Sequence, residues 1–365
     1  MRKYENKDGF TMSMEMRPIE DLASFVRDLG SECTTLNISQ SNLVAGSKLG
    51  RIILWGINDG QQKWSIDVEG PISDLEIDEK IYFTASAELH AINRENGHLE
   101  WTKDIEGSSD LLEIEGEEIF VTSSLYEIEI QDYTETTLFK FNKNGELLDT
   151  INFEEKPWFM KRHNQETILG IGRPRCGFLT VDNDGVISHN QTETNSPVNL
   201  GIKTNYGFLL GHSDGTITEI DDCDRKYTKC GDDSITAMFS NNISWKIGNV
   251  IGNLFSSDGW VIDLDGKISG IVETEDHIWV SINSEENIIY LLDKESGSIE
   301  YQFNHENKIQ IMTLSNYNLA ISDEEGKIMF FDVKTLNKRI EEKKDINEDL
   351  DRRNLLKKRL RALRK

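Results

Sequence analysis

A unit of about forty residues returns along most of this chain, and that recurrence limits the fold more than any other feature. It is first visible in GSKLGRIILWGINDGQQKW, Gly46 to Trp64, where a Gly-rich corner leads into RIILWGI, a turn at NDG and then KWSIDV. Each unit has a strand ending in a small residue, a polar corner, an apolar strand and a polar strand. After NLVAGSKLGRIILWGI the copies read KIYFTASAELHAINR, EIFVTSSLYEIEIQDYTETTLFKFN, TILGIGRPRCGFLTVDNDG and YGFLLGHSDGTITEID. GNLFSSDGWVIDLDG, HIWVSINSEENIIYLLDKE and NLAISDEEGKIMFFDVK complete a series of eight. The strands alternate or are continuously apolar, as sheet strands do. Corners at Asn96-Gly97, Asn144-Gly145, Asp184-Gly185, Asp214-Gly215 and Asp265-Gly266 supply the positive φ of tight turns.

One four-stranded unit cannot bury both of its faces. Stacked radially, each unit covers its neighbours, and closing the ring protects the sheet edges. The pattern therefore predicts an all-β fold: a β-propeller of eight four-stranded blades, or seven if the irregular sixth unit is an insertion.

GSKLGRIILWGI, GHSDGTITEID and SDEEGKIMFFDVKTL resemble WD-repeat blades, in which a small-residue corner precedes an apolar strand. WSIDVEGPISDLEIDEKIYFTASAELHAINRENGHLEWTKDIEG is more similar to quinoprotein-like (PQQ-like) blades, with their Asn-Gly turn and following Trp. The resemblance covers roughly residues 33 to 340 and implies fold rather than activity. The Gly-His and Trp-Asp signatures of strict WD repeats are mostly missing, and the third and sixth units are irregular. Family dehydrogenases that bind pyrroloquinoline quinone are exported, hold calcium and place adjacent cysteines beside the cofactor. Here Cys33, Cys176, Cys223 and Cys230 are scattered, so the resemblance does not carry a cofactor over.

Residues 1–32 are expected to form a terminal segment, 33–334 the propeller and 335–365 a basic amphipathic helix. FTMSMEM, Phe10 to Met16, alternates well enough to close the last blade beside IMFFDVK. RPIEDLASFVRDLG reads as a short amphipathic helix, with Ile19, Leu22, Phe25, Val26 and Leu29 on one side and Gly30 as its stop.

The tail carries the sharpest charge contrast. Residues 352–365 hold eight basic side chains and no acidic one. Removing those eight from a formal charge of -25 leaves -33 on the remainder. Leu356, Leu360 and Leu363 fall at helical spacing among Arg352, Arg353, Lys357, Lys358, Arg359, Arg361, Arg364 and Lys365. Such a helix either lies across its own acidic propeller or is presented to a partner, leucines as anchors and arginines meeting an acidic surface or phosphate. No aromatics interleave its bases, and the acidic body repels a long duplex, so nucleic acid is expected at the tail only. In the fourth unit, Trp158 lies beside Lys161 and Arg162, with Arg173 and Arg175 at a nearby corner. These five form a candidate basic patch on one face.

No catalytic constellation is present: no phosphate-binding Gly loop, no G-x-S-x-G and no H-E-x-x-H. DNDG at Asp182 and DLDG at Asp263 begin like calcium loops but lack the distal Glu and read as hairpin turns. Neither a metal nor a cofactor is expected. The first residues hold no apolar core of signal-peptide length, and no run nears the ~18 apolar residues of a membrane span. Cytoplasmic location without membrane contact is the expectation. Together these readings point to a non-enzymatic scaffold that joins a larger assembly partly through its basic tail. A nucleic-acid or ribonucleoprotein adaptor is the alternative, and a ligand sensor or enzyme using the ring's channel a third reading.

Overall fold

The computed structural model describes residues 17–129, 131–221, 224–241 and 243–340. Its strands fall into eight sheets, so the ring has eight blades rather than seven. The blades span 33–67, 72–104, 108–153, 157–190, 198–229, 235–263, 267–305 and 309–332. Within a blade, neighbouring strands pair antiparallel in chain order. The first strand of each blade lies beside the first strand of the next, and Ile309–Ser315 returns to Cys33–Ile38. The first strands are therefore innermost, and the circuit is closed.

The second and third strands supply the core. Asn42–Ser47 is buried along its whole length, and so are most residues of Arg51–Gly56. Each core cluster spans a blade boundary. Val44, Ile52 and Leu54 of the first blade pack with Ile72, Ile81 and Phe83 of the second. A fully buried side chain of this size contributes about 1.5–3 kcal/mol, so the faces between blades hold the ring together.

A second contact recurs nearer the rim. Trp64, on the first blade's outermost strand, lies on Gly97, in the turn between the third and fourth strands of the second blade. A Cβ at Gly97 would stand 2.9 Å from the indole, and Trp64 Nε1 donates to Arg94 O at 3.0 Å. Trp101 sits on Gly145 and Trp260 on Gly297 in the same way. These glycines have φ between 70° and 80°, so the residue that permits the turn also leaves room for the ring. The Asn96-Gly97 turn and the following Trp101 of the sequence pattern share the second blade but serve different neighbours: Gly97 receives Trp64 of the first blade, and Trp101 lies on Gly145 of the third. The DLDG stretch departs from expectation, because Leu264 and Asp265 link the sixth and seventh blades instead of capping a hairpin.

The N-terminal segment also departs from expectation. Residues 17–30 do not form a helix that stops at Gly30. Ile19–Leu22 makes a 3-10 turn, and Phe25–Asp28 is a strand pairing antiparallel with Lys327–Asp332. This strand, later in the chain than Phe10–Met16, is the fourth strand of the last blade; residues 10–16 lie outside the described residues. Phe25 stacks on Phe330 with centroids 4.7 Å apart and reaches across the closure to Gly60 of the first blade. Arg17–Pro18 adds a short parallel pairing to the seventh blade. Glu20 Oε1 lies 3.1 Å from buried His305 and 3.2 Å from Lys327, while His305 Nε2 contacts Asp323 at 3.0 Å. Burial alone would raise the Asp323 pKa, but hydrogen bonds from His305 and Asn307 hold it below the usual value.

The tail begins as a helix at 333–340. Leu336 and Ile340 are buried with Ile19 and Leu22, and Arg339 donates to Leu22 O and Ala23 O at 2.9 Å. These first turns rest on their own propeller. Residues 341–365, with every partner-binding residue read from the tail, lie outside the described residues.

If Ile19 and Leu22 lock the ring, Leu22→Ala should cost about 2–5 kcal/mol in urea unfolding. The same change at Leu49, which is 75% exposed, should stay within about 0.5 kcal/mol. Equal small effects would show that closure does not use this segment.

Candidate interaction face

Chain direction sorts the loops onto two faces. Turns between the first and second, and third and fourth, strands lie on one face. Turns between the second and third strands lie on the other, with the links between blades. The third and fourth blades make this second face unusual.

Every innermost strand carries a register shift near its start, where one residue, or in the third blade Asp110 and Leu111 together, has no cross-strand partner. The first such residues are Thr34, Ser73, Asp110, Trp158, Asn199, Thr236, Ser269 and Gln310. A β-bulge re-aims the side chain it carries. Seven of the eight are polar, and the fourth is a tryptophan that is 54% exposed. Its indole Nε1 overlies Gly172, where a Cβ would stand 2.9 Å away.

The third blade supplies the rest. Its middle strands, Glu118–Glu127 and Asp132–Asn142, run far beyond those of other blades. Pairing with the inner strand begins at Ser124↔Ser108, and pairing with the outer strand ends at Phe153↔Thr136. What lies beyond is a two-stranded ribbon standing out from the face. Tyr126, 52% exposed, meets Tyr133 edge-on at 5.2 Å, and Ile128 at the tip is 81% exposed. Lys156 fills the gap back to Trp158. Its ammonium is 4.2 Å from the Tyr133 ring centroid, 5.6 Å from that of Trp158 and 2.7 Å from Asp110 Oδ1. Ser124 Oγ donates to the other oxygen of Asp110. The result is an aromatic platform held by a partly buried, fully paired cation.

The five residues read as a basic patch are not brought together. Arg173 and Arg175 lie on the exposed turn near Trp158, but Arg175 is paired with the buried Glu155. Arg162 is buried between blades, 3.8 Å over the Phe120 ring and 2.9 Å from Glu115. Lys161 reaches back along the inner strands to Glu113 at 2.5 Å and Glu76 at 3.6 Å. Strand alternation sends these neighbours in different directions, and the excess of carboxylates neutralises them. The ribbon was hidden in sequence because its extra residues resemble an irregular repeat; its one signal was the length of EIFVTSSLYEIEIQDYTETTLFKFN.

Lys161 anchors a charged cluster in the inner wall. Asp74 of the second blade accepts the Leu112 amide of the third at 2.9 Å, beside Glu76 and Glu113. Burial is the largest influence on both acids of the second blade. It pushes Asp74 up to about 6 and Glu76 to about 7, although Lys161 pulls both down. Burial would lower the Lys161 pKa, but Glu113 and Glu76 more than offset it and leave it raised. His90 and His212 are buried, their pKa lowered by burial, and hydrogen-bonded to Thr102 and Thr218. Cys33, Cys176 and Cys230 are buried free thiols; burial pushes Cys33 up to about 12 and Cys230 to about 11. Cys223 lies outside the described residues. Among the described residues, no three His, Cys, Asp or Glu are placed to hold a metal ion. Asp182 Oδ1 instead accepts the amides of Asp184 and Val186 within its own turn. No helix among them is long and apolar enough to cross a membrane.

Among the described residues, an aromatic ring lies on a rim-turn glycine at four junctions, and the meeting of the fourth and fifth blades is not one of them. The fourth blade's outer strand, Ile187–Asn190, brings no tryptophan. A groove of about 570 Å³ opens there over Phe178 and Phe208, edged by His163, Glu166, Asp224 and Arg225.

No protein-family model matches the chain, and no curated protein matches it in sequence. Solved structures match its shape. The computationally designed Ika8 protein aligns with a TM-score of 0.69 at 13% identity, covering 84% of this chain and 97% of its own. BamB from Moraxella catarrhalis aligns at 0.65 and 15% identity, covering 84% of this chain and 98% of its own. Saccharomyces cerevisiae Sqt1 aligns at 0.67 and 10% identity, covering 87% of this chain and 100% of its own. Likeness at such identities concerns the fold alone.

The raised carboxyl pKa values have a definite sign. A folded-state pKa above the unfolded one contributes stability that is full below about pH 4 and lost as pH rises through about 7. Glu76→Gln should therefore raise Tm at about pH 7.5 and flatten the fall in Tm between about pH 5.5 and 7.5. A variant with the wild-type slope would show that Glu76 titrates normally.

Proposed function

We propose that this chain is a non-enzymatic, cytoplasmic protein-interaction scaffold. The platform of Tyr126, Ile128 and Trp158 takes a protein partner, and the basic tail assists its entry into an assembly. One observation carries this reading: the exposed side chains of Tyr126, Ile128 and Trp158 lie on one face, around the bulge of the fourth blade. Tyrosine and tryptophan offer large contact area at small entropic cost, and such residues dominate the energy of protein interfaces. A rigid disc keeps them in place before the partner arrives, which lowers the cost of binding. The alternative, an adaptor that contacts phosphate through residues 352–365, is supported by the eight bases of that segment.

The test uses full-length chain as bait in lysate of the native host, wild type beside Trp158→Ala and Tyr126→Ser/Ile128→Ser. Proteins that bind the platform should fall about tenfold in recovery from either variant, while unfolding free energy stays within about 0.5 kcal/mol of wild type. Identical recoveries would overturn the platform reading. Recovery that depends on nucleic acid, and falls steeply with salt, would favour the adaptor.

A further inference from the structure

Building on the scaffold reading, we propose that the ribbon of the third blade receives residues 352–365 of a second copy of this chain. Charge is the first argument. Ribbon residues 124–135 read SLYEIEIQDYTE, with Glu127, Glu129, Asp132 and Glu135 and no basic residue. None of these four carboxylates forms an ion pair among the described residues. Residues 352–365 are the mirror case, with eight bases, no acid and leucines at 355, 356, 360 and 363. Tyr126 and Ile128 stand exposed among the ribbon's acids, so both sides of the contact combine apolar anchors with opposite charge. The backbone of residues 125–127 and 132–135 also has no strand on its outer sides, since pairing stops at Ser124 and Thr136.

Topology decides which copy supplies the tail. The helix at 333–340 follows the last blade's third strand and touches Tyr317 and Asp276, both in first-to-second-strand turns. The chain therefore leaves Ile340 on the face opposite the ribbon tip. In a ring of eight, the third blade also stands across from the seventh, against which Ile340 packs. A tail meeting the ribbon of its own copy would have to cross the disc in both senses. A tail meeting the upper face of the next copy only has to continue away from its own disc. Such a contact joins two different surfaces, so it repeats from copy to copy and gives open-ended association rather than a closed dimer.

Sedimentation of the full chain over a range of concentration and salt tests this. The average mass should rise with concentration without levelling off at two copies. It should fall back between 0.15 and 1 M salt, as the screening length shrinks from about 8 to about 3 Å. Glu127→Lys/Glu129→Lys and, separately, Arg359→Glu/Arg361→Glu should each weaken association by about tenfold, and combining the four should restore it. A chain that is monomeric throughout, or association that neither reversal changes, overturns the proposal. So does a compensated variant that stays as weak as its parents. A monomeric wild type whose Trp158→Ala variant still loses its protein partner would refute self-stacking and leave the scaffold reading intact.

Discussion

The fold depends on how one blade is seated on the next. Blade faces bury aliphatic side chains, but hydrophobic contact has no direction and would tolerate many angles between two sheets. The rim contact supplies direction. A large ring on one blade's outermost strand lies on a turn glycine of the next, and at Trp64 and Trp101 the indole N–H is fixed by a backbone carbonyl beyond it. Any side chain on those glycines would collide with the ring, so at these junctions the turn sets the distance and tilt of its neighbour. The same contact made by Phe25 on Gly60 joins the N-terminal segment to the first blade. The closure is thus an ordinary blade contact made by a strand from the other end of the chain.

Between the fourth and fifth blades no large ring among the described residues reaches a turn glycine, and a groove opens there over Phe178 and Phe208. The third blade instead exceeds the pattern, with middle strands that outrun their neighbours. The groove and the lengthened strands flank the fourth blade, which also carries Trp158 at its bulge. A repeat fold has few ways to make a unique place on a nearly symmetric ring, and this chain concentrates several of them in one sector.

Period-two strands and Gly-containing turns made the eight blades legible, because both are local signals read within a few residues. The N-terminal closure was not legible for the same reason. Ile19, Leu22, Phe25, Val26 and Leu29 suit one face of a helix, and only pairing with Ile328 and Phe330, three hundred residues away, makes Phe25–Asp28 a strand. At the candidate site, Trp158 stood out by type, but the bases around it misled. Arg162 follows Lys161 directly, and alternation in a strand turns one into the blade interface and leaves the other along the inner wall. Sequence spacing alone does not show which carboxylate a basic residue will find in a chain with 65 of them.

That excess of acid shapes the chemistry of the whole molecule. Basic side chains in the described core are drawn into pairs: Lys156 with Asp110, Arg162 with Glu115, Lys161 with Glu113. Each pair satisfies a cation that would otherwise lie partly buried and uncompensated, at a cost of several kcal/mol. One-to-one pairing removes both signs equally, so the net excess of acid remains on the outer surface. The bases at the chain's end are balanced by no acid of their own segment. A partner for them must come from outside that segment, and the acid-bearing surfaces of this same chain are the most concentrated source in any solution of it. Charge separation along one polypeptide therefore favours contact between its oppositely charged parts, and in the stacking proposed above those parts belong to different copies.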